Sequence, residues 1–366
     1  MIIANTDFWI NRKNIRAKYS LEKYFRPEIY EFHKSLPGYS PTPLLDLKLK
    51  NHQQKIYLKD ESLRFSMGAF KSLGASWAIA NYLKKNSGSF VFCSATDGNH
   101  GRAVAWSARI FGHRAKIFMP ASTVPSRIRF IEEEGARVFV IKGNYDEAVH
   151  QAREAAQEEG HVLIQDTSWE GYEYYPNMIS AGYSTIIREI EKQFKSIEDK
   201  FPEVMLLQSG VGSWAASMML YTLRHTAYKT PKFIIVEPYE SDCLMESAKR
   251  RKRSTTSKSQ KTIMAGLNCG TPSMSAWEII DDMADAYISI DDHYVEYALH
   301  ELKRSGVRSC ESGAAGLAGL LALFENEKLQ AVRETLKLNE NTSFLLFNTE
   351  GITDPEMYEK IISRKI

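Results

Sequence analysis

Short runs of β-branched and apolar residues alternate with amphipathic helical patterns along most of this 366-residue chain. The strand-like runs fall at 55–59, 90–94, 115–119, 137–141, 162–165, 204–208, 233–237, 287–290 and 344–347. Helical periodicity fills 101–111, 145–159, 178–195, 213–224, 294–303 and 312–326, and a further helix with small residues begins near Lys71. Parallel strands need long crossovers, most often a helix. The alternation therefore predicts an α/β chain with mostly parallel sheets flanked by helices. Its length suits two domains. The expected division is a large domain, 1–82 with 196–366, and a small domain, 83–195. The first forty residues read as a less regular arm.

Composition excludes several partners. A net charge of +2 gives no ground for nucleic-acid or membrane-surface binding. No apolar run reaches the length of a membrane span, and MIIANTDFWINRKN lacks the basic and apolar regions of a signal peptide. Cys93, Cys243, Cys269 and Cys310 are far apart, without C-x-x-C spacing. Free thiols in a reducing cytoplasm fit them better than disulfides or a zinc site, so a cytoplasmic chain with no metal is expected. The one strongly biased stretch, 249–261 (KRRKRSTTSKSQK), reads as a solvated surface loop or a contact for an acidic partner.

In parallel α/β sheets, ligands sit in the loops at the carboxyl ends of strands. Lys71 follows such a strand. Gly74, Ala75 and Ala78 share its helical face and leave room for a flat group. A lysine among apolar groups has a lowered pKa and can form a Schiff base; the plainer reading is a solvated lysine. The loop 94–101, SATDGNHG, sets Thr96, Asp97, Asn99 and His100 before a helix. It suits a carboxylate at the helix start, or an Asx-turn with its N-cap. The loop 209–216, SGVGSWAA, has the backbone freedom to wrap a phosphate. It also reads as G-x-G-x-x-A, with Glu237 ending the next strand, which is the dinucleotide pattern of a nicotinamide-dependent dehydrogenase. A tight βα turn is the structural alternative. Asp166 and Glu170 lie past a strand in QDTSWEGY, and Thr349 and Glu350 end the last strand in NTEGITD. H-E-x-x-H, G-x-S-x-G and G-x-x-x-x-G-K-[ST] are all absent.

Taken together, KDES…AFK, ATDGNHGRAVAW, QDTSWEGY, SGVG, IIVEP, IMAGLNCG, ESGAAGLAG and NTEGITD resemble the tryptophan synthase β-like (fold type II) family of pyridoxal-phosphate enzymes. Within it they are most similar to the diaminopropionate ammonia-lyases. The resemblance spans about residues 38–358. TDGNHGR with QDT-x-WEGY is its most specific part; threonine dehydratases usually carry Ser-x-Gly-Asn in the first loop.

The resemblance implies α,β-elimination of 2,3-diaminopropionate, L and D, to pyruvate and ammonia. It implies that Lys71 holds pyridoxal 5'-phosphate as a Schiff base and that Asn99 meets the cofactor's 3-hydroxyl oxygen. Gly210, Val211, Gly212 and Ser213 would cradle the phosphate, and Thr349 would meet the pyridine nitrogen. Thr96, Asp97 and His100 would bind the substrate carboxylate, with Asp166 near the substrate's amino end. Lys71 and Asp97 would be the bases for the L and D isomers. A small amino-acid substrate and a homodimer are implied as partners. Trp214, Ala216 and Ser217 depart from the family's phosphate loop, and Ser66-Met67-Gly68 from its segment before the lysine. A threonine or serine dehydratase, or a related β-replacement enzyme, is the nearest alternative activity. A dehydrogenase and a catalytically silent binding protein are the alternatives from other classes.

Overall fold

Among the described residues, eleven strands form two sheets. In this computed structural model those residues are 5–11, 13, 26–50, 52–96, 98–143, 145–223 and 229–364. The strands are β1 (Thr6–Ile10), β2 (Leu44–Leu47), β3 (Ile56–Asp60), β4 (Val91–Ala95), β5 (Arg114–Pro120), β6 (Arg137–Ile141), β7 (Val162–Leu163), β8 (Val204–Gln208), β9 (Lys232–Pro238), β10 (Ala286–Ile290) and β11 (Phe344–Asn348).

The larger sheet runs β1-β10-β9-β8-β11-β3-β2. Its five inner strands are mutually parallel, and β1 and β2 pair antiparallel at the edges. Every residue of β3, β8, β10 and β11 is buried, as expected where helices cover both faces of a parallel sheet. The smaller sheet, β6-β5-β4-β7, is parallel throughout. The fold is the expected α/β chain with two mostly parallel sheets.

The two edge strands were not anticipated. β1 is half-exposed along most of its length, and β2 is four residues long with Asp46 facing water, so neither carries a clear apolar alternation. The single helix expected at 178–195 is two helices, Tyr174–Gly182 and Ser184–Ile197. The cause is tertiary. A Cβ on Gly182 would lie 2.5 Å from the Leu73 carbonyl oxygen, and one on Gly74 would lie 2.6 Å from the Tyr183 ring. The helix Lys71–Leu83 crosses at these two glycines. Ser72 to Ala80 are all buried, and the helix packs against Asn99–Ile110 and Tyr174–Gly182. The small face of the Lys71 helix thus serves helix packing.

The KDES segment continues β3 into a buried ion network. Lys59 Nζ lies 2.8 Å from Glu189 Oε2; Arg64 lies 2.6 Å from Glu189 and 2.8 Å from Glu61, and all four side chains are fully buried. The network ties β3 to the helix Ser184–Ile197. It also anchors Phe65 and Ser66, whose φ angles of 52° and 59° are unusual for non-glycine residues. This bend turns the chain toward Lys71.

Candidate active site

Lys71 is the first residue of its helix, where no side chain caps the free amides. A cation there opposes the helix dipole. Asp166, just beyond β7, compensates: its Oδ2 lies 2.6 Å from Lys71 Nζ. The Lys71 side chain is 25 % exposed, on the wall of a cavity of about 430 Å³ between the strand ends of the two sheets. The expected fall in the Lys71 pKa is not found. Burial does push it down, but the Asp166 carboxylate outweighs burial and holds the ammonium above its usual range, helped by Tyr183. Burial opposes ionisation of Asp166, yet His100 and Lys71 lower its pKa to about 2. Burial also holds His100 below its ordinary value, so near neutral pH Lys71 is the cation that faces Asp166.

The loop after β4 leads into the helix Asn99–Ile110. Thr96 Oγ1 accepts from the Gly98 amide at 2.9 Å in a threonine side-chain turn, and among the described residues no side chain caps the helix that follows. Asn99 lines the cavity and donates its side-chain amide to Glu350. His100 donates from Nε2 to the Ile164 carbonyl at 2.8 Å, which leaves Nδ1 as an acceptor 3.7 Å from Asp166. Asp97 lies outside the described residues.

Gly210, Val211, Gly212 and Ser213 follow β8 and open the helix Ser213–Leu223. Among the described residues, the amides of Gly210, Val211 and Gly212 meet no acceptor. A helix start with free amides is an anion site. Ser213 Oγ donates to the Asp166 carbonyl at 2.8 Å, joining this loop to the Lys71 partner. Thr349 follows β11, with Gln208 Nε2 3.3 Å from its hydroxyl oxygen.

Residues 36–336 match the pyridoxal-phosphate dependent enzyme family. The chain is 38 % identical over 367 residues to the diaminopropionate ammonia-lyase of Salmonella typhimurium, covering 92 % of this chain and 91 % of that one. To the diaminopropionate ammonia-lyase of Escherichia coli K12 it is 36 % identical over 357 residues, covering 91 % and 89 %. The fold superposes on the crystal structure of holo diaminopropionate ammonia lyase from Escherichia coli with a TM-score of 0.87, at 34 % identity, covering 98 % of this chain and 97 % of that one. The chain belongs to the diaminopropionate ammonia-lyase family of pyridoxal-phosphate dependent enzymes.

The residues present fit the family's cofactor. Buried polar atoms of cavity-lining residues lack hydrogen-bond partners among the described residues: His100 Nδ1, Thr167 Oγ1, Trp214 Nε1 and Asn268 Oδ1. Such a concentration marks a polar ligand site, since buried polar groups are otherwise almost always paired. Gly212 has φ +92°, and a Cβ there would meet Ile280 at 2.7 Å, so the loop needs glycine to bare its amides. The family's departures sit behind that loop. The Trp214 ring packs between Phe70 and Phe347, at 5.5 and 5.0 Å, and Ser217 Oγ donates to the Ser180 carbonyl at 2.6 Å.

Glu237, the acid of the dinucleotide pattern, is fully buried and accepts the Leu244 and Met245 amides at 2.8 Å each. It caps the helix Cys243–Arg250 and cannot reach a ribose, which removes the dehydrogenase reading. Glu350, noted with Thr349 at the end of the last strand, lines the cavity; sequence reasoning missed Gln208, Arg127, Tyr145 and Asn268. Gln208 ends β8, Arg127 lies in the helix Pro125–Glu132, Tyr145 starts the helix Tyr145–Glu158 and Asn268 lies within GLNCG, so none carried a motif of its own. The basic stretch is largely exposed, but Arg253, Thr255 and Gln260 within it form part of the cavity rim.

Proposed function

We propose that this chain is a carbon–nitrogen lyase that eliminates ammonia from 2,3-diaminopropionate, L and D, and that the released aminoacrylate takes up water to give pyruvate and a second ammonia. When bound, pyridoxal phosphate supplies the electron sink for a substrate carbon that has lost its proton. The amides of Gly210, Val211 and Gly212, with Ser213, hold the phosphate. Thr349 meets the pyridine nitrogen and Asn99 the 3-hydroxyl oxygen. Thr96, His100 and the first turn of Asn99–Ile110 take the substrate carboxylate. Lys71 holds the cofactor and removes the α-proton of the L isomer. Asp97 does so for the D isomer.

The observation that carries this reading is the Lys71–Asp166 pair at 2.6 Å. Lysine acts as a base or nucleophile only when neutral. Asp166 holds it charged in the ligand-free chain. Once Lys71 holds the cofactor, the second ammonium of a diamino substrate can take the lysine's place beside Asp166. Threonine and serine bring no such second cation, so the pair favours a diamino acid. The domain division 1–82 with 196–366 and 83–195 would let the smaller unit close on the cavity and exclude water. A cytoplasmic homodimer is part of the same reading. No helix among the described residues is long and apolar enough to cross a membrane. The test is release of pyruvate and ammonia from L- and D-2,3-diaminopropionate, with serine and threonine as controls. Preference for threonine would move the chain to the dehydratases.

A further inference from the structure

We infer that Gln208 is a positioning residue that makes the Thr349 hydroxyl a hydrogen-bond donor to the cofactor's ring nitrogen. The inference rests on the proposed contact between Thr349 and that nitrogen and adds what sets its direction. Gln208 ends β8 and is buried. Its Nε2 lies 2.8 Å from the Phe347 carbonyl oxygen, 3.1 Å from the Gly313 carbonyl oxygen and 3.3 Å from Thr349 Oγ1. Two backbone carbonyls can only accept, so they fix which end of the amide is nitrogen. The amide cannot flip without turning its oxygen on both. Its own Oε1 goes without a partner among the described residues, 3.0 Å from where a Cβ on Gly316 would stand. A buried acceptor left unpaired is costly, and here the two carbonyl bonds hold it so.

The consequence falls on Thr349. The two hydrogens of the amide serve three acceptors, so the one toward Thr349, the longest contact, is shared with a carbonyl, and the nitrogen cannot accept from the hydroxyl. The Thr349 hydrogen is therefore directed away from Gln208, and Thr349 lines the cavity. A group there that receives this hydrogen must be an acceptor. For a pyridine ring, that is the unprotonated nitrogen. Gln208 acts on the ring nitrogen through Thr349.

The test is nitrogen-15 NMR of the holoenzyme reconstituted with ring-labelled pyridoxal phosphate. The wild type is expected to show an unprotonated ring nitrogen across neutral pH. In Gln208→Glu a carboxylate oxygen can accept the Thr349 hydrogen, so the signal should move to the protonated position. The same change in a Thr349→Val background should produce no such move. If it does, the new charge acts directly and the inference is overturned. Gln208→Met guards against a misfolded Gln208→Glu. It donates nothing, so the hydroxyl is free to turn toward the vacated carbonyls, and the signal should match Thr349→Val. A Gln208→Met signal identical to wild type overturns the role of Gln208. A protonated nitrogen in the wild type overturns the inference alone, whereas a wild type that takes up no cofactor overturns it together with the proposed function.

Discussion

Lys71 Nζ stands 2.6 Å from Asp166 Oδ2, across ninety-five positions of sequence. The contact reverses the effect of burial on the lysine and keeps its ammonium charged. Replacing the acid removes the main opposition to burial. Asp166→Asn should therefore lower the Lys71 pKa, and the pH at which the amine captures pyridoxal phosphate should fall. Turnover of the diamino substrate should drop on the order of 100-fold, the scale of a lost acid–base or charge partner. Stopped-flow uptake of the cofactor against pH reads the first effect. An unchanged pH profile would show that Asp166 does not govern the lysine.

Acid should unfold the chain through His33. Its Nδ1 lies 2.6 Å from Thr185 Oγ1 and its Nε2 2.9 Å from the Leu73 carbonyl oxygen, both in the interior. Burial lowers its pKa from 6.5 to about 3. The unfolded chain therefore binds a proton first, so the stability from neutral His33 is complete above pH 6.5 and is lost as pH falls toward 3. The loss between pH 7 and pH 5 should be roughly 2 kcal/mol from this residue alone. The Asp166 contribution acts lower: it is present above the ordinary 3.8 and lost as pH falls through about 2. Urea midpoints against pH, for wild type and His33→Gln, separate the two. Equal slopes between pH 7 and pH 5 would contradict the His33 account.

Glu189 neutralises two buried cations, Lys59 and Arg64. Glu189→Gln leaves them short of one negative charge without a route to water. Breaking a buried pair from one side typically costs about 3–5 kcal/mol, so the denaturation midpoint should fall accordingly. A change under about 1 kcal/mol would mean that the network relaxes to admit water.

Gly212→Ala should weaken cofactor binding more than it weakens the fold. A side chain at φ +92° is strained, and its Cβ would crowd Ile280. The strain, about 1–2 kcal/mol, is relieved by turning the loop and its amides. The dissociation constant for pyridoxal phosphate should rise about tenfold or more, read by fluorescence titration. Unaltered affinity would remove the phosphate from this loop.

The inner strands were legible because β8, with VMLLQ, and β11, with FLLFN, are continuous apolar runs bounded by polar strand ends. The loops after them were legible for the same reason: Gly210, Gly212, Thr349 and the 94–101 cluster interrupt apolar periodicity where parallel sheets bind ligands. What failed was long-range. The break at Gly182 and Tyr183 comes from a helix far earlier in sequence, and the Lys71 charge is set by a carboxylate delivered by another sheet. Gln208 read only as the last residue of a strand, because its three acceptors meet it only in the folded chain. The stretch 249–261 misled in the opposite way. Its charge run describes a solvated loop, yet its turn brings Arg253 and Gln260 to the cavity mouth.

Borohydride reduction of the cofactor-loaded protein, followed by peptide mapping, tests the central claim most directly. The account predicts a visible absorption that reduction abolishes, with the pyridoxyl label on Lys71 alone and no label in Lys71→Ala. A label on another lysine, or a chain that takes up no chromophore, would contradict it.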